Sequence, residues 1–171
     1  MSNFDLAIPI VFKNEGGFVD DTSDSGGATN FGISLNFLKT IDPNASVVTI
    51  KNMSREQASF IYRKEFWDKG NYGELDNQAL ANKVFDMSVN MGVTRANRLL
   101  QMAVNDEGFT LTIDGILGPK TIGTLNDSWS LEQDAILKSF KLRCIEFYNS
   151  LAQQNPTKLK FLCGWINRAL S

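Results

Sequence analysis

Apolar side chains recur at helical spacing along almost the whole chain, and one glycine-rich stretch, residues 18–33, is the main break in that pattern. Phe4, Ala7, Ile8, Val11 and Phe12 follow the three-four alternation that lines one face of a helix. Gly16 and Gly17 stop it. Ser34 is placed to cap a short helix with Leu35, Leu38 and Ile41 inward, ending near Asp42-Pro43. Ser54 with Gln57 forms a capping box that opens a helix through Ala58, Ile61, Tyr62 and Glu65, closed by Gly70. A longer helix follows from about Asn77 to Gly92, and Thr94 is placed to cap the next one. Asp114 to Pro119 reads as a turn, with Pro119 suited to a first helical position. Ser130 with Gln133 reads as a second capping box, and Pro156-Thr157 opens the last helix. The chain is therefore expected to be mainly α, with a small irregular or hairpin segment at about 18–33. Two halves, 1–75 and 76–171, are expected to pack as one body, because no linker composition separates them.

The break in the helical pattern is also where chemistry concentrates. Glu15 stands at the end of the first helix, before Gly16-Gly17-Phe18. Nine residues on, Asp24 opens the segment Asp24-Ser25-Gly26-Gly27-Ala28-Thr29. The C-terminal end of a helix is its negative end, and an anion there is disfavoured. Burial against Phe12 or Phe18 adds to that bias, which suits a carboxyl group that must deliver a proton. A turn aspartate is solvated and stays ionised, so Asp24 is suited to orient a water or to face positive charge at an anomeric carbon. Thr29 offers a hydroxyl for the same water. A glutamate before a glycine pair and an Asp-Ser-Gly-Gly turn also have a plain reading as a helix stop and a loop. Asp20 and Asp21 are rival second carboxylates.

Composition removes competing mechanisms. The chain of 171 residues holds no histidine, which excludes a Ser-His-Asp triad, a Cys-His pair and an HExxH zinc site. Two cysteines, Cys144 and Cys163, are too few for a four-thiolate zinc site and sit in apolar contexts that suit reduced core thiols. An EF-hand counted from Asp20 fails, because its sixth and twelfth positions are Ser25 and Phe31. No metal and no cofactor are expected. A formal net charge of −2 without a dense basic run gives no case for nucleic acid. No stretch is long and apolar enough for a membrane span, and no signal peptide is visible, so synthesis in the cytoplasm is expected. Proton transfer is left to carboxylates, and acid-catalysed cleavage of a glycosidic bond is the chemistry this arrangement suits.

These segments together resemble glycoside hydrolase family 108. The first half carries the resemblance in Glu15-Gly16-Gly17-Phe18, in Asp24 to Ile33, and in Tyr62-Arg63-Lys64-Glu65-Phe66-Trp67. The second half is similar to the predicted peptidoglycan-binding domain that accompanies that family. Its matching segments are Phe85 to Gly92, Leu100-Gln101, Asp114 to Thr121 and Gly164-Trp165-Ile166-Asn167-Arg168. The resemblance implies a lysozyme-like fold and an N-acetylmuramidase of the phage or prophage endolysin kind. Such an enzyme acts on peptidoglycan after another protein lets it reach the wall. The resemblance places the catalytic acid on Glu15. The Glu15, Asp24 and Thr29 spacing is similar to the phage-lysozyme triad, with the Asp-to-Thr gap one residue shorter.

Three further residues are candidates for substrate binding. Tyr62 and Trp67 are expected to offer rings for sugar stacking, against the alternative that they are core. Asn90 is expected to bond a sugar acetamido group, against the alternative of a helix stop. Trp165, beside Gly164, reads as core packing. A monomer is expected. A lytic transglycosylase is the enzymatic alternative, although Glu15-Gly16 replaces the Glu-Ser usual there. A non-catalytic wall-binding or secretion accessory protein is the alternative outside enzymes.

Overall fold

Local capping fixes most of the helix starts. The computed structural model describes residues 1–15, 17–19 and 27–171. Asn3 caps α1 (Phe4–Asn14), its side-chain oxygen accepting the Asp5 N–H at 2.9 Å. Phe4, Ala7, Ile8 and Val11 are buried on one face, as the spacing predicts. The helix ends at Asn14, and Glu15 leaves it in an extended conformation. Ser34 caps α2 (Leu35–Ile41) through the Phe37 N–H at 3.1 Å. The Ser54–Gln57 capping box opens α4 (Arg55–Tyr62). Pro119 takes the first position of α7 (Pro119–Asp127).

The segment 27–34 folds as the hairpin expected there. Strand β1 (Thr29–Asn30) pairs antiparallel with β2 (Ile33–Ser34), Thr29 opposite Ser34 and Asn30 opposite Ile33. Val19 adds a bridge to Thr29. The two-residue turn is Phe31-Gly32, with φ of 50° and 76°. Positive φ at both central residues gives the turn that follows the twist of its strands.

Several helix starts differ from the sequence reading. A short helix, α3 (Val47–Lys51), lies between α2 and α4, opened by a Ser46–Thr49 capping box. Helix α4 widens into a π-helical turn over Arg63–Asp68, followed by a 3-10 turn at Tyr72–Glu74. Helix α5 (Gln78–Met91) ends at Gly92 with φ 89°, and the same glycine starts α6 (Val93–Asp106), so Thr94 is not its cap. Helix α8 (Ser130–Gln154) is capped by Glu132, whose carboxylate accepts the Trp129 N–H at 2.9 Å. Gln133 instead donates to the carbonyls of Leu125 and Ser128, both at 3.1 Å, and holds the end of α7. A 3-10 turn at Pro156–Lys158 precedes α9 (Leu159–Leu170).

Helix α1 packs on α5, and α8 packs against α6 and α9. One apolar cluster runs from Phe4 and Trp67 through Tyr72 and Phe85 to Phe140 and Tyr148. Each buried side chain of that size stabilises the fold by about 1.5–3 kcal/mol through loss of water contact. The loop Asp114–Leu117 is pinned by Gln101, which donates to the Asp114 carboxylate at 2.8 Å and accepts the Gly115 N–H at 2.8 Å. These contacts make Asp114 and Gly115 turn chemistry, as expected. The thiols differ from the reading: Cys144 is buried and Cys163 is exposed. Burial pushes the Cys144 thiol up to about 12. Among the described residues no helix is long and apolar enough to cross a membrane.

Candidate active site

Glu15 points back toward the C-terminal helix. Its Oε1 lies 2.9 Å from Nη1 of Arg168, which comes from the last turn of α9. The carboxylate side chain is 19% exposed and the guanidinium 12%. Arg168 also holds Asp86 of α5, with Nη2 at 2.9 Å and Nε at 3.1 Å from Oδ1. Asn14, the residue before Glu15, donates to the same Oδ1 at 3.1 Å. Asp86 is fully buried, and its Oδ2 has no hydrogen-bond partner among the described residues. Lys83, one turn earlier, lies 3.7 Å from that oxygen and donates to the Arg168 carbonyl at 2.9 Å. Two carboxylates and two cations thus form one buried cluster at the junction of α1, α5 and α9.

The cluster balances its charges against burial. Burial works against the charge on Arg168, but Asp86 and then Glu15 outweigh it and hold the guanidinium protonated. Burial pushes Lys83 down, and Asp86 offsets only part of that. Glu15, at the end of α1, has that guanidinium beside it at 2.9 Å. Removing a partner from such a pair leaves an uncompensated charge, so the cluster fixes Glu15 in place more than it adds stability.

The hairpin meets Glu15 from the other side. A Cβ on Gly32 would lie 2.6 Å from the Glu15 carboxyl carbon, so only glycine fits there. The Gly32 φ of 76° excludes most side chains independently. Phe31 holds an αL conformation unusual for a bulky residue. Two contacts support it: an edge-on contact with Phe12 at 5.9 Å, and a 2.8 Å hydrogen bond from the Tyr62 hydroxyl to its carbonyl. Thr29 sits partly exposed on the same hairpin, its backbone paired with Val19 in both directions at 2.8 Å. Asp24, Asp20 and Asp21 lie outside the described residues.

The substrate-binding candidates separate. Trp67 is buried at 4%, with the rings of Phe4, Tyr72 and Phe85 at 5.4–6.1 Å around it. No face is left for a sugar, and its expected place in a cleft is corrected to core. Tyr62 is also buried, at 1%, and its ring is likewise withdrawn from a ligand. Its hydroxyl holds the hairpin turn, and burial, with Glu15 nearby, pushes its pKa above the ordinary value. Asn90 is exposed near the end of α5 and lines an open groove with Asn14, Trp165 and Arg168. Arg168, Asp86 and Lys83 were missed as site residues. Asp86 and Arg168 stood inside matching motifs, but a pairing across 82 or 153 positions leaves no local spacing signal.

The family profile of glycosyl hydrolase 108 matches residues 8–92, and that of a predicted peptidoglycan domain matches residues 95–170. The structure is similar to the solved structure of Brucella abortus SagA, with a TM-score of 0.74 and 28% identity. That likeness covers 98% of this chain and 93% of the other. No curated protein matches the sequence. The fold is mainly α and lysozyme-like, and the boundary between the two matched regions falls after Gly92, at the junction of α5 and α6. The chain belongs to glycosyl hydrolase family 108, with that family's region followed by a predicted peptidoglycan domain.

Proposed function

We propose that this peptidoglycan-directed glycoside hydrolase is an N-acetylmuramidase, cleaving the β-1,4 bond from N-acetylmuramic acid to N-acetylglucosamine. The observation that carries the reading is the Glu15 carboxyl group, partly exposed at the end of α1, with one oxygen tied to Arg168. In the proton-donating state Oε2 bears the proton while Oε1 still accepts from the guanidinium. The leaving-group oxygen of the glycan takes that proton as the bond breaks. Asp24 and Thr29 are proposed to orient the water that attacks the anomeric carbon. The contact between Gly32 and Glu15 supports that part, because it brings the hairpin bearing Thr29 to the acid. The regions before and after residue 75 are proposed to act as one body, since Glu15 and Arg168 belong to opposite ends of the chain. Action as a monomer and delivery to the wall by a separate release protein belong to the same proposal.

Mass spectrometry of fragments released from purified peptidoglycan tests the reaction. Products with reducing N-acetylmuramic acid ends are expected. A 1,6-anhydro product would make the enzyme a lytic transglycosylase, and no release at all would make it a binding protein.

A further inference from the structure

We propose that the groove between α9 and the end of α5 is a glycan subsite that holds one N-acetylhexosamine unit on Trp165, beside the acid. This rests on the reading of the protein as a peptidoglycan glycosidase and adds the residues that grip the strand.

The groove has a volume of about 400 Å³ and is lined by Asn14, Asn90, Gly164, Trp165, Asn167 and Arg168 among others. Its side chains are amides, an indole, a guanidinium and the Ser171 hydroxyl. Amide groups pair with acetamido and hydroxyl groups, and an indole face covers the CH face of a pyranose. The groove reaches the acid through Arg168, which lines it and whose guanidinium bonds Glu15 at 2.9 Å. Phe161, Trp165 and Arg168 follow the four-three spacing of one helix face.

One buried residue holds both gripping elements. The Tyr148 ring stacks under Trp165 at 5.2 Å with 21° between the planes. Its hydroxyl donates to Asn90 Oδ1 at 2.6 Å. That bond turns the Asn90 amino group away from Tyr148 and leaves it as a donor. Trp165 is only partly buried, and exposed Phe161 extends the aromatic shelf at 5.7 Å.

Gly164 is an independent pointer to a ligand. It lies inside α9, where glycine weakens a helix. A Cβ there would meet nothing within 4 Å, so no close packing within the described chain calls for glycine. The groove it lines does: a larger side chain at that place would stand in the path of the strand.

The test uses the Glu15→Gln protein, whose turnover should be at least about a hundredfold slower, titrated with tri-N-acetylchitotriose and read by tryptophan fluorescence and NMR. Saturable binding is expected. Gly164→Leu and Trp165→Ala should each weaken it by about three- to tenfold. Tyr148→Phe should weaken it less while the Trp165 signal keeps its response. Gly164→Leu fills open space, so its melting temperature should not fall, and it decides the matter if Trp165→Ala unfolds. Unchanged affinity in a folded Gly164→Leu protein, or no saturation at millimolar trisaccharide, overturns the subsite. In the active background Gly164→Leu should raise KM on soluble glycan strands and leave kcat nearly constant. Hydrolysis with an unaltered KM removes the subsite and leaves the muramidase reading. Trisaccharide binding that Gly164→Leu weakens, in a protein whose unsubstituted form releases nothing from peptidoglycan, leaves the subsite and removes that reading.

Discussion

Glu15 Oε1 and Arg168 Nη1 lie 2.9 Å apart across a sequence separation of 153 residues. The same guanidinium is bound to buried Asp86, so the acid is positioned by a helix from the far end of the chain. This brings the last turn of α9 to the carboxyl group proposed as the acid.

Arg168→Ala should therefore damage both fold and activity. It leaves the Asp86 carboxylate buried with Lys83 as its remaining cation, and losing one partner of a buried pair costs about 3–5 kcal/mol. Urea denaturation should show that loss. The double variant Arg168→Ala with Asp86→Ala should recover part of the stability without recovering lysis. Stability within about 0.5 kcal/mol of wild type in the single variant would show that the cluster is not coupled to the fold.

Gly32→Ala should abolish most activity while the helical core persists. The substitution strains a φ of 76° and drives a methyl group into the Glu15 carboxyl. Circular dichroism should stay helical while hydrolysis of purified peptidoglycan falls. A folded Gly32→Ala enzyme with full activity would show that the hairpin does not bear on the acid.

Trp67 is a core residue, so Trp67→Ala should lower stability by about 3–5 kcal/mol, the range for large-to-small aromatic truncation. A residue that only faced sugar would change KM and leave the unfolding midpoint in place. Thermal and urea unfolding distinguish the two.

Lys83 gives a pH signature. Burial holds its folded pKa below the ordinary lysine value of 10.5, so between those two pH values the unfolded chain binds the extra proton. Stability then rises with pH across that window, because the unfolded state is the one that must give up a proton. Relative to Lys83→Met, the wild type should gain stability as pH is raised toward 10.5. Urea denaturation at stepped alkaline pH measures the difference, and a relative loss for wild type would contradict the buried-lysine account.

How much of this was legible in the sequence depends on the range of each interaction. The caps at Ser34 and at Ser54–Gln57 and the start at Pro119 are contacts within one turn, and their spacing is visible in the chain. Helix α3 is masked in the sequence because Val47-Val48 is β-branched and the element is five residues long, although Ser46–Thr49 carries a capping signal. Glu15 was readable from its place before a glycine pair. Asp86 and Arg168 were not, since nothing near either residue names a partner 82 positions away. Trp67 lies in the core and Trp165 packs against it half-buried: an aromatic at helical spacing carries no mark of which face the rest of the fold leaves open. Gly164, a helix-breaking residue beside Trp165 without a turn to explain it, is the sequence feature that goes with the proposed subsite.

The most direct test of the central claim is the hydrolysis of purified peptidoglycan by Glu15→Gln, followed as new reducing ends. The substitution keeps the shape of the side chain and an acceptor for Arg168 but removes the proton to be donated. Activity should fall at least about a hundredfold, the lower range for losing a general acid, with the unfolding midpoint retained. A folded Glu15→Gln protein that keeps most of its activity would contradict the account and move the acid to another carboxyl group.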